Sequence, residues 1–275
     1  MSAFYLSRSI TSAHPTKVKL KMHPILLQLG PLTLHSYGLM VAFGFLSGIS
    51  LSIYLLTKSG LDGPSYLDLA IYIMLAAIVG GRAFYVIGLW SYFAANPLEI
   101  VMVQTGGLVY LGGLIFAVLT AVVYLLVRRQ PVLQALDAIT PGTALGYAIG
   151  RIGCFLTGCC FGLPTTLPWG IVFPPGSLAG EYCPSQALHP TQLYSSLSMF
   201  IVAFILYRLW LRRHNPGEVL CWGLLLYSLY RFLVEFLRYS PIHWAGLTPS
   251  QWLGLVIGSG AAAGLLYLRR QHGKV

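Results

Sequence analysis

Four arginines and one glutamate stand in or beside apolar runs of this chain, where a charged side chain is costly. The arginines are Arg82, Arg151, Arg231 and Arg238, and the acid is Glu235. An ionised side chain at the centre of a bilayer costs at least about 2.5–3.5 kcal/mol on insertion scales. One carboxylate cannot neutralise four cations, so the surplus positive charge predicts an anionic ligand. Arginine binds phosphate bidentately, and a phospholipid head group is therefore the expected ligand.

Three of these charged residues and a tyrosine stand three or four positions apart, which is the spacing of one helix face. Glu235 follows Arg231 by four positions and precedes Arg238 by three, and Tyr227 lies four positions before Arg231. On one helix these side chains would share a face. Two interpretations stay open: an internal ion pair that holds a helix bundle together, or a set of groups that binds substrate.

Segment 150–162 combines a cation with glycines and thiols. Gly150 and Gly153 flank Arg151, and glycine permits close backbone approach and exposed N–H groups. A cation beside a thiol lowers its pKa, which makes a catalytic thiolate a further candidate. The cysteines that could supply it are Cys154, Cys159 and Cys160.

The cysteines allow other chemistry as well. In an oxidising compartment Cys183 would pair with Cys159 or Cys160, whereas a bridge between the adjacent Cys159 and Cys160 would be strained. Metal binding by two or three of these thiols with His189 is an alternative, but the spacing lacks a C-x-x-C pair. We therefore expect no metal and no cofactor, and we expect Cys221 to pack in the core.

Tyrosines and histidines stand near the ends of the same apolar runs. Tyr37 follows His35 by two positions at the start of the first run, and His189 precedes a proline at the start of the fifth. Each tyrosine is either an interfacial anchor or a functional group. His189 either caps a helix or contacts the substrate.

The apolar runs themselves predict an all-α fold. The chain has 275 residues, of which 56% are apolar and 9% charged, whereas soluble domains carry about 25% charged residues. A helix of about 20 apolar residues spans the hydrocarbon core. We therefore predict a polytopic integral membrane protein with seven transmembrane helices, at about 34–56, 68–89, 108–127, 132–150, 191–211, 218–238 and 249–268.

Cations at the ends of these helices indicate their orientation. Lys58, Arg128, Arg208 and Arg269 lie at or just after the ends of the first, third, fifth and seventh helices. Cytoplasmic loops carry an excess of lysine and arginine, so this side and the C-terminus are predicted to be cytoplasmic. The N-terminus and a periplasmic head at 151–190, between helices four and five, then face outward. No basic run carries interleaved aromatic side chains, so nucleic acid is not an expected partner.

The N-terminal residues depart from this orientation. Three lysines within 17–21 would lie outside, whereas Met22 opens a short apolar lead into the first helix. We expect residues 1–21 to be a non-core extension and residues 22–270 to form a single transmembrane domain.

Five stretches carry most of the polar residues singled out above. They are Leu34-His35-Ser36-Tyr37-Gly38-Leu39-Met40, Gly80-Gly81-Arg82, Gly150-Arg151-Ile152-Gly153 with Gly158 and Gly162, His189-Pro190-Thr191-Gln192-Leu193-Tyr194, and Arg231-Phe232-Leu233-Val234-Glu235-Phe236-Leu237-Arg238. Together and in this order they resemble the bacterial prolipoprotein diacylglyceryl transferases. The resemblance covers nearly everything from Met22 to about Arg270, and it marks the chain as a divergent, cysteine-rich variant.

The resemblance implies a reaction in the bacterial inner membrane. A transferase of this family moves the diacylglyceryl group of phosphatidylglycerol onto the thiol of a lipobox cysteine in an exported prolipoprotein, and it releases glycerol 1-phosphate. The expected partners are phosphatidylglycerol, the prolipoprotein lipobox peptide and membrane lipid. The active site would face the periplasm, with arginines that stabilise the charge growing on the phosphate and a base that removes the thiol proton.

The resemblance also implies roles for individual residues. The expected catalytic groups are Arg151, Arg231, Glu235, Tyr37 and His35. The groups expected to bind substrate are Arg82, Arg238, Tyr227, Gly153 and His189. The candidates for a thiol role are Cys154, Cys159 and Cys160.

Several positions depart from the family pattern. Leu111, before Gly112 and Gly113, stands where the family usually has the histidine of a His-Gly-Gly motif. Cys154 replaces an asparagine and Cys159 replaces a glutamate. An acid expected shortly before the third helix is also absent, with Gln104 and Thr105 in that region.

Three interpretations of this pattern stay open. In the first, the chain is an active transferase in which the proton passes to His35, His189, a tyrosinate or Glu235, or in which the acceptor thiol ionises near the arginines. In the second, the same phospholipid-binding scaffold serves another acceptor with a catalytic or redox cysteine. In the third, the chain is a non-catalytic phospholipid-binding paralogue.

Overall fold

Long helices dominate the part of the chain that the computed structural model describes, which is residues 18–19, 25–29, 32–63, 66–103, 106–212 and 214–272. The long helices are α1 (Ser36–Lys58), α2 (Tyr66–Gly88), α4 (Tyr110–Val127), α5 (Val132–Thr157), α7 (Thr191–Trp210), α8 (Glu218–Glu235) and α9 (Pro249–His272). Two short helices, α3 (Trp90–Ala95) and α6 (Leu178–Tyr182), and a 3-10 turn at Pro97–Val101 lie between them.

Five of the long helices are long and apolar enough to cross a membrane, namely α1, α2, α4, α7 and α9. Large apolar side chains remain exposed on all five, including Phe43, Val79, Val118, Phe204 and Val256. Exposed apolar faces of this extent are suited to lipid contact. The chain is therefore a mostly helical, multi-pass membrane protein, as predicted.

The other two long helices carry three of the charged residues noted in the sequence, Arg151 on α5 and Arg231 and Glu235 on α8. Seven helices were predicted at these positions, and most of their ends agree within about two residues. The fourth is the main exception, because α5 continues to Thr157 instead of ending at residue 150. Arg151 therefore lies inside a helix, and the head begins seven residues later than predicted. The sixth helix ends at Glu235 instead of residue 238.

α5 extends beyond residue 150 because Gly153 packs within the helix and a later glycine ends it. Gly153 is buried in the helix, where an added Cβ would meet the Cβ of Met40 at 3.0 Å and the Cα of Tyr37 at 3.3 Å. This glycine therefore serves close packing of α5 against α1. The residue that ends the helix is Gly158, whose φ of +69° is the left-handed conformation that glycine adopts readily.

The chain divides into two compact units, each assembled from three separate stretches. The first unit contains the described residues of 1–44, together with 147–199 and 227–257. The second contains 45–146 and 200–226, with the described residues of 258–275.

Five short strands of the first unit were absent from the all-α prediction. Strands β4 (Ile171–Val172) and β5 (Ala187–Leu188) pair antiparallel, and β1 (Val18–Lys19) pairs parallel with β4. Strands β2 (Ile25–Leu29) and β3 (Leu32–His35) form a hairpin. The Pro- and Gly-rich composition of 151–190 favours such short extended pieces over helix. Strands β4 and β5 contribute Ile171 and Leu188 to an apolar cluster that also contains Phe161, Phe173 and Ala179.

The predicted N-terminal extension lies mostly outside the described residues. Val18–Lys19 is the described part of 1–21, and it adds β1 to the small sheet. The status of the remaining residues, and of Met22 as a start, stays a prediction.

The second unit is built on close helix packing. An added Cβ on Gly80 of α2 would meet the carbonyl oxygen of Gly112 of α4 at 2.6 Å, so these glycines let the two backbones touch. The buried Asp137 carboxylate accepts hydrogen bonds of 2.7 Å from the N–H groups of Gly217 and Leu220. It thereby satisfies two donors at the start of α8 that have no partner within the helix.

Candidate active site

An ion cluster at the end of α8 holds the acid singled out in the sequence. An Oε2 to Nη1 distance of 2.5 Å joins Glu235 to Arg231, and the same carboxylate oxygen lies 3.8 Å from Nη1 of Arg238. Arg231 also donates a 2.9 Å hydrogen bond to the Ser250 hydroxyl. Glu235 is only 5% exposed. The predicted i, i+4 pair is therefore confirmed, and one carboxylate serves two arginines.

Arg151 lies among tyrosines instead of acids. Its guanidinium donates to the Tyr147 hydroxyl and lies 4.7 Å from the centroid of the Tyr147 ring. The Tyr147 ring in turn contacts Tyr227 and Tyr230 of α8, at centroid distances of 5.8 and 6.5 Å. Within the described residues, no carboxylate forms an ion pair with Arg151. This cation keeps its charge available for an anionic ligand.

The sequence interpretation missed Tyr147 and Tyr230. Tyr147 carries a usable signal, because it precedes Arg151 by four positions, whereas Tyr230 directly precedes Arg231 and adjacent residues do not share a helix face. A tyrosine one helical turn before a membrane-depth arginine can stack on its guanidinium. Tyr227, which was predicted to bind substrate, belongs to the same aromatic group.

The turn after α5 brings the thiols together. The N–H of Gly158 donates to Phe155 O at 3.1 Å, and the N–H of Cys159 donates to Cys154 O at 3.1 Å. These two bonds form a Schellman motif, which reverses the chain at the helix end. Cys160 then also adopts a positive φ of 58°, which is uncommon for a residue with a side chain.

Side chains of α7 hold this turn in place. The Gln192 amide donates a 2.7 Å hydrogen bond to Cys159 O, and the Thr191 hydroxyl donates a 2.9 Å bond to Cys160 O. Both donors are buried. The backbone that carries the two cysteines is therefore fixed from a second helix.

The sulfur atoms of Cys154, Cys159 and Cys160 all lie within 4.8 Å of one another. Hydrogen bonds from the Cys154 and Cys159 thiols lower the pKa of Cys160, and the nearby Arg238 and Arg151 charges act in the same direction. We call Cys154, Cys159 and Cys160 the thiol cluster.

The disulfide interpretation is wrong, because all five cysteines are free thiols. Cys183 packs against the apolar cluster of the head, and burial raises the pKa of its thiol. Cys221 is half-buried in α8 within the second unit, where an added Cβ on Gly264 would lie 3.0 Å from its sulfur.

His189 is part of a hydrogen-bonded aromatic chain. Its Nδ1 lies 3.3 Å from the Tyr194 hydroxyl, which accepts a 2.7 Å hydrogen bond from the Trp169 indole. Partial burial lowers the pKa of His189, so the ring is neutral at physiological pH. An apolar depression of about 560 Å³ lies beside this chain, lined by Trp169, Ile171, Pro190, Leu193 and Tyr194.

Gly162 joins the head to the residues that follow α8. It forms an antiparallel bridge with Arg238, and its N–H donates to His189 O at 3.1 Å. An added Cβ would meet the His189 Cβ at 2.6 Å and Leu237 O at 2.6 Å. Only glycine fits between these two segments.

Tyr37 and His35 lie where the β2–β3 hairpin meets α1. His35 ends β3 and is exposed, and Tyr37 stands in the first turn of α1 with 46% of its surface exposed. The contact of Gly153 with Tyr37 brings this turn against α5. Their catalytic roles stay predictions.

Arg82 differs from the other three arginines because its guanidinium donates hydrogen bonds to backbone carbonyls. It bonds Ile100 O at 2.9 Å and Gly106 O at 2.7 Å, and it also donates to Glu99 O. Its guanidinium stacks on Phe93 at 5.3 Å from the ring centroid. Arg82 lies in the second unit, where its hydrogen bonds hold the backbone at Glu99, Ile100 and Gly106. Substrate binding by Arg82 stays a prediction.

Replacing Arg82 with methionine is expected to lower the free energy of unfolding by about 3 kcal/mol, because several carbonyls lose a charged donor. Thermal unfolding in detergent should show the loss, and loop 97–107 should become sensitive to protease. An unchanged melting temperature combined with a raised KM for phospholipid would instead assign Arg82 to the substrate.

Comparison with known proteins identifies similar sequences over most of the chain. The family model described as prolipoprotein diacylglyceryl transferase matches residues 24–267. A protein of Parasynechococcus marenigrum named phosphatidylglycerol–prolipoprotein diacylglyceryl transferase is 36% identical over 252 residues, which are 89% of this chain and 90% of the relative. Proteins of the same name are 34% identical in Synechococcus elongatus (89% of this chain, 87% of the relative) and 36% identical in Clostridium tetani (80% and 87%).

Proposed function

Because the chain belongs to the prolipoprotein diacylglyceryl transferase family, we propose that it transfers the diacylglyceryl group of phosphatidylglycerol to a cysteine thiol of prolipoproteins. It is accordingly an enzyme of the transferase class, acting in lipoprotein biosynthesis. Its peptide substrate is the lipobox segment of an exported prolipoprotein.

This proposal rests on the hydrogen-bond partners of Arg151. Arg231 and Arg238 share the Glu235 carboxylate, and Arg82 is used by carbonyls, whereas Arg151 has only a tyrosine hydroxyl as hydrogen-bond acceptor among the described residues. A cation held by aromatic rings and lacking a counter-ion is suited to a phosphate. These surroundings support binding of the phosphatidylglycerol phosphate by Arg151.

The reaction forms a carbon–sulfur bond and breaks a carbon–oxygen bond. The acceptor sulfur attacks the terminal glyceryl carbon of the diacylglyceryl group, and glycerol 1-phosphate leaves with the bonding electrons. A phosphodiester becomes a monoester, so negative charge grows on the phosphate oxygens. Arg151 would stabilise this charge, because its guanidinium is already oriented by Tyr147 and needs little reorganisation.

Arg231 and Glu235 would position the substrate from α8. The carboxylate holds Arg231 at 2.5 Å and leaves Arg238 at 3.8 Å, so Arg238 is the looser of the two cations. A second phosphate oxygen or the glycerol head group could displace that longer contact. Tyr37, Tyr227 and His189 remain candidates for head-group contacts in this arrangement.

All seven long helices are proposed to span the bacterial inner membrane, with α5 and α8 supplying the polar site. Lys58, Arg128, Arg208 and Arg269 then lie on the cytoplasmic side with the C-terminus. The N-terminus and the head between α5 and α7 face the periplasm. This orientation supports the proposal because exported prolipoproteins present their cysteine on that side.

Rescue of a host depleted of its own transferase is the expected result of expressing this chain. Purified protein should also label a lipobox peptide with diacylglycerol from phosphatidylglycerol, and a peptide with serine in place of the cysteine should stay unlabelled. An inserted protein that releases glycerol 1-phosphate without labelling the peptide would point to another acceptor. Phospholipid binding with no turnover at all would make the chain a non-catalytic paralogue.

A further inference from the structure

The thiol cluster has the geometry of a metal site that the sequence spacing did not predict. Its three sulfur atoms lie within 4.8 Å of one another. Three thiolates bound to one zinc ion at about 2.3 Å are separated by roughly 3.8 Å in a tetrahedral arrangement. Side-chain rotations that close the sulfurs by about 1 Å or less reach that geometry. We expected no metal because the sequence lacks a C-x-x-C pair. The Schellman turn nevertheless brings the three sulfur atoms together, so the spacing no longer argues against a metal site.

The backbone of the thiol cluster is organised before any ion binds. Hydrogen bonds from Gln192 and Thr191 fix the carbonyls of Cys159 and Cys160. Cys160 is held at positive φ, a conformation that persists only where the surroundings impose it. Ligands held in this way lose little freedom when they bind an ion.

The charges around the cluster favour an ion with three thiolates. Three thiolates and one Zn²⁺ carry a net charge of −1, and two cations lie nearby: Arg238 bridges Gly162, and Arg151 precedes Cys154 by three positions on α5. The ligand set contains sulfur alone, which suits a thiophilic ion and disfavours Mg²⁺ or Ca²⁺. Cys159 and Cys160 are only partly buried, so the cluster is not sealed from its surroundings.

We propose that Cys154, Cys159 and Cys160 form a three-thiolate site for Zn²⁺ whose fourth position binds the acceptor cysteine of the lipobox peptide. Catalytic zinc sites keep three protein ligands and an open position for water or substrate. A thiol bound to zinc is deprotonated, and the thiolate is the nucleophile that the transfer needs. This role rests on the proposed function, whereas the metal site itself does not.

The step balances without an oxidant or a reductant. The acceptor thiol loses its proton to solvent as its sulfur binds Zn²⁺. The sulfur then forms a bond to the terminal glyceryl carbon, the carbon–oxygen bond to phosphate breaks, and glycerol 1-phosphate leaves near Arg151. The thioether product binds zinc weakly and is released, and the metal stays Zn²⁺ throughout.

Metal binding is tested on the full-length protein in detergent under reducing conditions. After treatment with EDTA, titration with Zn²⁺ against a chromophoric chelator should show one site per chain, and Co²⁺ should give thiolate-to-metal absorption bands. Cys154→Ser, Cys159→Ser and Cys160→Ser should each weaken Zn²⁺ binding at least about 100-fold. The matched controls Cys183→Ser and Cys221→Ser should bind as the wild type. Absence of stoichiometric Zn²⁺ binding by folded wild type, or preference for Cu⁺ with no Zn²⁺ binding, overturns the site.

The acceptor role has a separate readout. A lipobox peptide should change the Co²⁺ spectrum of the protein, and the same peptide with serine in place of cysteine should not. Chelation should remove diacylglyceryl transfer, and Zn²⁺ should restore it. Full transfer by the chelated enzyme and by Cys159→Ser overturns the inference while the proposed function stands. Zn²⁺ binding without transfer to any lipobox peptide refutes the proposed function and, with it, the acceptor role.

Discussion

Arg151→Ala is expected to lower diacylglyceryl transfer by roughly 100- to 1,000-fold while the protein still folds and inserts. The other three arginines bind a carboxylate or several backbone carbonyls, whereas Arg151 has neither kind of partner among the described residues. Its charge is therefore free to stabilise the phosphate, and its removal should slow the reaction. Insertion should survive because no acid is left unpaired by the substitution. Transfer of labelled diacylglycerol to a lipobox peptide measures the rate, and the helical circular dichroism measures the fold.

Two control variants separate charge from geometry at this position. Arg151→Lys keeps the charge but loses the planar guanidinium, so it should recover only part of the activity. Tyr147→Phe removes the hydroxyl acceptor and leaves the stacked ring, so a smaller loss is expected. Wild-type turnover in Arg151→Ala would refute the phosphate role.

Glu235→Ala is expected to destabilise the protein as well as inactivate it. Glu235 is buried and joins Arg231 at 2.5 Å with Arg238 at 3.8 Å. Its removal leaves two cations without their acid, and breaking a buried pair costs about 3–5 kcal/mol. Thermal unfolding in detergent should show a large drop in melting temperature, and transfer should be undetectable.

A double replacement separates the effect of Glu235 on stability from its effect on activity. Arg231→Met combined with Glu235→Leu removes both members of the close pair, so the melting temperature should recover relative to Glu235→Ala. Transfer should stay absent, because Arg231 and Glu235 are both proposed to position the substrate. A double variant that recovers activity along with stability would reduce the pair to a structural contact.

Most of the helices were predictable from the sequence because apolar length and terminal cations mark them directly. The end of α5 was not, since Gly150, Gly153 and Gly158 look alike in the sequence. Gly153 packs against α1, whereas Gly158 has the positive φ that stops the helix. Which glycine breaks a helix depends on its neighbours in space.

The candidate site also has a part that the sequence predicts and a part that it does not. The ion pair of Arg231 and Glu235 was predictable because it depends on spacing within one helix. The convergence of three thiols was not, because it depends on a turn and on hydrogen bonds from Gln192, 33 positions away. The carbonyls that hold Arg82 belong to an irregular loop, whose backbone direction no pattern of side chains reveals.

The bridge at Gly162 ties the head to the ion cluster at the end of α8. The same glycine contacts the backbone of Arg238 on one side and that of His189 on the other. Arg238 lies 3.8 Å from the Glu235 carboxylate, so a residue larger than glycine at position 162 is expected to shift Arg238 relative to its acid. The fit of one glycine thereby helps to fix the distance within a charge pair.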